Sequence, residues 1–166
     1  MKPLRGRHAL VCGASKGIGR ATALALANMG AEVTGLARNS DALDSLVAEI
    51  TALDEIAHRC VADLDNPDQL RDAVDALVAD GPVHIVINNT GGPAAGPLVA
   101  AKTEALTHAF QRHVLAAHAI MQRTLPGMTQ AGYGRFINVL STSVREPIPN
   151  LGVSNIIRGA MASWAK

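Results

Sequence analysis

The sequence predicts a doubly wound parallel α/β sheet, three layers deep, with helices on both faces. Three observations carry that expectation. Short apolar runs alternate with helical patterns along all 166 residues, the order that builds a parallel sheet. The run at 84–88 (HIVIN) is nearly all apolar, as in a strand buried on both faces. The apolar run 8–12 breaks straight into Gly13-Ala14-Ser15-Lys16-Gly17-Ile18-Gly19, and a helical pattern begins at once with Ile18, Ala21, Thr22, Leu24, Ala25 and Leu26.

The elements follow in order. The first strand spans 8–12 and the first helix 18–29, closed by Gly30, because glycine favours the residue after a helix end. A second strand covers 31–37. Ser40 or Asp41 can cap the next helix, which carries Leu43, Leu46, Val47 and Ile50 on one face. The third strand is expected at 58–64. Asn66 followed by Pro67 reads as a cap and first helical residue, opening a helix with Leu70, Val74, Leu77 and Val78 that Gly81-Pro82 ends. After the fourth strand at 84–88 comes a loop at 90–97 rich in Gly and Pro. A long helix is predicted at 103–124, with the apolar stripe Leu106, Phe110, Val114, Ala117, Met121 and Leu125. The fifth strand is placed at 134–140. A loop with Pro147 and Pro149 leads to a last helix from Leu151. No linker, repeat or low-complexity tract interrupts the chain, so one domain is expected over 1–166.

Composition bounds the function. Hydrophobic residues make up 48% and charged residues 17%, enough for a core and too apolar for disorder. Aromatics are only 2%, so small aliphatic residues must fill the interior. A net charge of +1 predicts no polyanion attraction and no nucleic-acid binding. Cys12 and Cys60 fall in strands predicted to be buried and read as reduced core thiols. The six histidines show no zinc-like spacing, so no metal is expected. Lys2, Arg5 and Arg7 precede apolar residues, but the stretch 9–12 is too short for a signal peptide, and no run reaches membrane-spanning length. A cytoplasmic protein is expected.

A strand, a glycine-rich turn and a helix together aim backbone N–H groups and a helix N-terminus at a phosphate. In a doubly wound sheet of order 3-2-1-4-5, ligands bind beyond the carboxyl ends of the strands. Those ends should gather the 13–19 turn, Arg38, Asp63, the 88–92 segment and Ser141. A bound dinucleotide is the first expectation, and a tight turn without ligand is the alternative.

With Gly13, Gly17-Ile18-Gly19, Asp63-Leu64, Asn88-Asn89-Thr90-Gly91 and Asn138-Val139-Leu140-Ser141 in place, the chain resembles the short-chain dehydrogenase/reductase family over essentially its whole length. The nearest resemblance is to the 3-oxoacyl-acyl-carrier-protein reductase-like branch. The resemblance implies a Rossmann-type fold, a pyrophosphate held by Gly13, Ser15, Gly17, Ile18 and Gly19, and adenine contact at Asp63 and Leu64. Asn89, Thr90 and Gly91 would line the cofactor cleft. NAD-users need a carboxylate at the end of the second strand. Here that place reads Leu36-Ala37-Arg38. Arg38 and Lys16 can both face a 2′-phosphate, which favours NADP(H) over NAD(H). Solvated surface cations are the alternative.

The chain departs from the family at its catalytic set. Ser141 keeps the family's serine. The tyrosine position falls on Ser154, the lysine position on Arg158, and the usual asparagine of the long helix on His113. A serine hydroxyl is a far weaker acid than a phenol, and arginine does not release its proton near neutrality. His113 sits beside the apolar stripe and can face the interior: a satisfied, partly buried histidine is the first reading, and an imidazole that titrates near neutrality in place of the lost acid is the alternative. The one tyrosine, Tyr133, is out of place for catalysis and is expected to cap a turn. The expected function is hydride transfer between NADP(H) and a small carbonyl or alcohol substrate. A 3-oxoacyl thioester is one candidate, and the alternative function is a nucleotide-binding sensor or assembly subunit. The resemblance further implies a homo-oligomer, dimer or tetramer, built on the long and last helices. It also implies that the 166 residues lack the family's last strands and substrate-covering segment.

Overall fold

The computed structural model describes residues 2–166. Five parallel strands form one sheet: β1 (His8–Cys12), β2 (Glu32–Ala37), β3 (Ala57–Val61), β4 (Ile85–Asn88) and β5 (Arg135–Asn138). Their order is β3-β2-β1-β4-β5, as the sequence predicts. Side chains alternate along β1. Ala9 and Val11 pack with Ala23, Ala27, Leu43, Leu46 and Ile50 on one face. Leu10 and Cys12 pack with Leu70, Val74, Ile120 and Met128 on the other. Helices α1 (Gly17–Asn28) and α2 (Ser40–Thr51) cover the first face; α3 (Pro67–Ala79) and α5 (Ala116–Gln130) cover the second. Both cysteines are free and buried, and burial pushes the Cys12 thiol up to about 12, which leaves it unreactive.

Local chemistry sets the boundaries. Met29 closes α1 and Gly30 follows at φ +91°, a conformation glycine adopts without strain. The cap of α2 is Asn39 rather than Ser40 or Asp41: its Oδ1 accepts from Ala42 N at 2.9 Å. Asn66 caps α3 as expected, accepting from Gln69 N at 3.1 Å, with Pro67 at the start. The third strand ends at Val61, three residues short of the expected 64. Beyond Val61, only the Ala62 N–H still reaches β2, on Ala37 O. Asp63 Oδ1 then accepts from Asp65 N, turning the chain away from the ladder.

The long helix differs most from expectation. It runs as α4 (Thr103–Phe110), a π-helical turn (Gln111–Leu115) and α5, continuing through Pro126 to Gln130. A wider π turn shifts the phase of the buried face. The expected stripe holds at Val114 and Ala117, which are buried, and fails at Phe110 and Leu125, exposed at 41% and 46%; Ala109, His113, Ala116 and Ile120 are also buried. The last helix, α6 (Gly152–Trp164), packs on α4 and the π turn. Tyr133 closes the C-terminal turn of α5, its backbone N–H donating to Met128 O at 3.1 Å. Its ring packs on the core beneath the guanidinium groups of Arg7 at 4.0 Å and Arg135 at 4.7 Å. Among the described residues, no helix is long and apolar enough to cross a membrane.

Leu36 is fully buried on the interior strand β2, whereas Val99 is 96% exposed. Leu36→Ala should cost about 2–5 kcal/mol and Val99→Ala less than about 0.5 kcal/mol in urea unfolding. Equal losses would show that β2 does not organise the core.

Candidate functional site

The strand order reverses between β1 and β4, and an open cleft of about 590 Å³ lies beyond their carboxyl ends. One wall is the 13–19 turn. Gly13 and Gly17 have φ of +65° and +56°, a region that suits glycine. A Cβ on Gly19 would stand 2.2 Å from Gly13 O, and one on Gly13 would stand 2.7 Å from Asn89. Asn89 Nδ2 donates to Cys12 O at 3.3 Å. The turn is thus pressed against the end of β4 with no room for side chains. Gly17 is different: a Cβ there meets nothing within 4 Å, so its backbone is bare toward the cleft. Helix α1 starts behind it with neither a side-chain cap nor an acidic residue in its first turn. Its first N–H groups are left for an anion.

Lys16, Ile18, Arg38, Asp63, Leu64, Thr90, Gly91 and Arg112 complete the lining. Arg38 is exposed, and its Nη1 lies 3.6 Å from Asp63 Oδ2, so a carboxylate already shares this cation. No carboxylate stands at the end of β2 itself.

Deeper in lies a small cavity of about 20 Å³, walled in part by Asn88, Arg112, His113, Val139 and Arg158. His113 is brought inward by the π turn and is 6% exposed. Burial lowers its pKa to about 4, helped by the positive charges of Arg158 and Arg112; a backbone hydrogen bond with Gly91 and the Asp65 carboxylate oppose this. His113 is thus buried, and the alternative of an imidazole titrating near neutrality is corrected: it is neutral at pH 7 and offers no readily lost proton. Arg158 Nη1 donates to Val139 O at 2.8 Å. Burial also lowers the Arg158 pKa, but a guanidinium stays charged.

The match to the short chain dehydrogenase family covers residues 7–154. The chain belongs to that family. L-xylulose reductase of Mesocricetus auratus is 35% identical over 166 residues, covering 98% of this chain and 64% of the relative. A 3-oxoacyl (acyl-carrier-protein) reductase from Agrobacterium tumefaciens C58 with NADP bound superposes with a TM-score of 0.91 at 26% identity, covering 97% of this chain and 62% of the other. An NAD+-bound xylitol dehydrogenase gives 0.90 at 27%, covering 98% and 64%. The chain spans just under two-thirds of the length of the curated relatives that it matches, 63% and 64% for the first two.

In this short-chain dehydrogenase chain, Gly13, Ser15, Lys16, Gly17, Ile18, Arg38, Asp63, Leu64, Asn89, Thr90 and Gly91 all line one cleft, and Gly19 is buried behind them. His113 and Arg158 meet at the inner cavity. Ser141 and Ser154 border neither space. Ser141 instead caps a short turn, its Oγ accepting from Ser143 N at 3.2 Å, and Ser154 lies half-buried in the first turn of α6. Sequence reasoning missed Arg112, which borders both cleft and cavity. Its guanidinium grips Asp65, with Nε 2.9 Å from Oδ1, and holds that carboxyl below its usual range. A charged residue on a helix carries no sequence signal of facing a cleft.

His113 also makes stability depend on pH. Its folded pKa of about 4 lies below the ordinary 6.5, so the unfolded chain takes up a proton first as the pH falls. The stabilisation is complete above about pH 6.5 and is lost toward pH 4, up to about 3 kcal/mol. His8 and His84, also lowered by burial, act in the same direction. Urea unfolding at several pH values should show a shallower acid loss for His113→Gln than for the parent. Identical slopes would mean that His113 titrates normally.

Proposed function

We propose that the protein is an NADP(H)-dependent oxidoreductase that moves a hydride between a nicotinamide ring and a carbonyl or alcohol carbon. The observation that carries this reading is the side-chain-free glycine wall facing Asn89, with two cations at its rim. Gly13, Ser15, Gly17, Ile18 and Gly19 would hold the pyrophosphate. Asp63 and Leu64 would meet the adenine, and Asn89, Thr90 and Gly91 would form the opposite wall. Arg38 and Lys16 suit a 2′-phosphate, where a guanidinium offers paired donors. The relatives include both NADP-bound and NAD+-bound proteins, so the preference rests on Arg38 and Lys16. The bound cofactor supplies or accepts the hydride. Ser141 would hydrogen-bond the substrate oxygen, with Arg158 supplying fixed positive charge and Ser154 occupying the tyrosine position. A ketone is the substrate chemistry shared by a relative named for L-xylulose and one named for a 3-oxoacyl thioester.

Titration calorimetry should show NADPH binding more tightly than NADH. Arg38→Ala should weaken NADPH about tenfold and NADH less than twofold, as expected for one charge-assisted contact. Equal affinity for the two cofactors, unchanged by Arg38→Ala, would overturn the preference. A second reading, nucleotide binding without hydride transfer, is favoured by the neutral His113 together with Ser154. NADPH binding without oxidation across polyhydroxy ketones and 3-oxoacyl thioesters would decide for it.

Self-association belongs to the same proposal. Leu106, Phe110, Leu115 and Ile156 line an apolar groove of about 350 Å³ between α4 and α6, with Phe110, Leu115 and Ile156 exposed. Exposed apolar patches of this kind mark interaction surfaces, and a second copy of the chain is the proposed occupant. Sedimentation should show a dimer or larger species that Phe110→Glu converts to monomer; a monomeric parent would refute this. The two free buried thiols suit a reducing compartment such as the cytoplasm.

A further inference from the structure

Arg112 stands in the cleft without a part in the phosphate-binding turn. It borders the cleft together with Asp63 and Leu64, and its side chain is 33% exposed, so a ligand can reach it. Asp65 holds the guanidinium along one edge. Nε lies 2.9 Å from Oδ1 and 3.1 Å from Oδ2, and Nη2 also donates to Oδ2. The carboxylate is anchored in turn: the Asp65 backbone N–H donates to Asp63 Oδ1 at 3.0 Å, and the next residue, Asn66, caps α3. The hydrogen bond from Arg112, opposed in part by burial and aided by the charges of Arg112, Arg38 and His108, holds the Asp65 carboxyl below its usual range. The pair is therefore ionised on both sides at neutral pH.

A guanidinium gripped along one edge keeps a fixed plane, and its faces are weakly hydrated. Balanced by a carboxylate, it brings little net charge. What it offers a ligand is a flat surface rather than attraction for a phosphate. Such planes stack on nucleobases, and the pull of the cation on the ring adds to the contact. Leu64 borders both the cleft and the inner cavity together with Arg112. An apolar side chain and a planar cation thus share one corner of the site, a composition that suits a flat ring. We propose that Arg112 is a stacking surface for the adenine base of the dinucleotide, and that Asp65 is the positioning residue that fixes its plane. This rests on the function proposed above and adds to it a base contact that salt does not screen.

Titration calorimetry with NADPH, 2′,5′-ADP and reduced nicotinamide mononucleotide tests this on the parent and on variants. Arg112→Lys decides, because it keeps the charge, and with it the pairing to Asp65, but has no plane. It should weaken NADPH and 2′,5′-ADP about tenfold, equally at low and high salt, and leave the mononucleotide, which lacks adenine, unchanged. Arg112→Met should do the same. Asp65→Asn should weaken 2′,5′-ADP about threefold at high salt in the parent and not at all in Arg112→Met, since a positioning residue acts only through the group it positions. Parent-like affinity in Arg112→Lys, or a loss that fades with salt, would give Arg112 a role of charge alone and overturn the stacking. An Asp65→Asn loss that persists in Arg112→Met would overturn the positioning. A parent that binds NADPH as all its variants do would refute this inference and leave the proposed function standing. A parent that binds none of the three ligands would sink both.

Discussion

Asn89 reaches across from the end of β4 and donates to the Cys12 carbonyl at the end of β1, and the site depends on that one contact. It ties together the two strands at which the sheet order reverses. The 13–19 turn has to pass between them and α1, and only residues without a Cβ fit there: Gly13 against Asn89, and Gly19 against the Gly13 carbonyl. Once the turn is pressed down in this way, α1 must start directly behind it, and its uncapped first N–H groups open on the cleft. The phosphate-sized concavity follows from backbone packing rather than from any polar side chain.

The second half of the site is decided by burial. The π turn rotates His113 inward, beside Arg158 and Arg112, and two nearby cations in a desolvated space leave the imidazole neutral. A fold built for a titrating acid at this position would have done the reverse, placing a carboxylate close by or leaving the ring wet. The nearest carboxylate, Asp65, is held by Arg112 instead. Arg112 joins the Asp63–Asp65 side of the cleft to the helix that carries His113, so the two regions form one electrostatic unit.

These features separate two properties that a family resemblance joins. The glycine wall keeps a bare backbone and an uncapped helix start, the parts that suit an anion. The inner cavity is lined instead by a permanently charged guanidinium, Arg158, and a neutral imidazole, His113. Ser141, beyond the end of β5, accepts from Ser143 N and keeps its hydroxyl hydrogen free to donate.

Much of this protein was determined by its sequence alone. The alternation of strand and helix patterns, the glycine spacing and the Asn66-Pro67 start are local, and periodicity and turn chemistry report local structure directly. The strand order, the cleft and the positions of Gly13, Arg38, Asp63 and Asn89 were legible for that reason. Tertiary structure decided the rest. A π turn has no composition of its own, so the sequence placed Phe110 and Leu125 in the core where the fold exposes them. The pKa of His113 depends on burial and on Arg158, 45 positions away in the chain. Arg112 faces the cleft because of how its helix is rotated. Each is set by what packs around a residue, which no single stretch of sequence records.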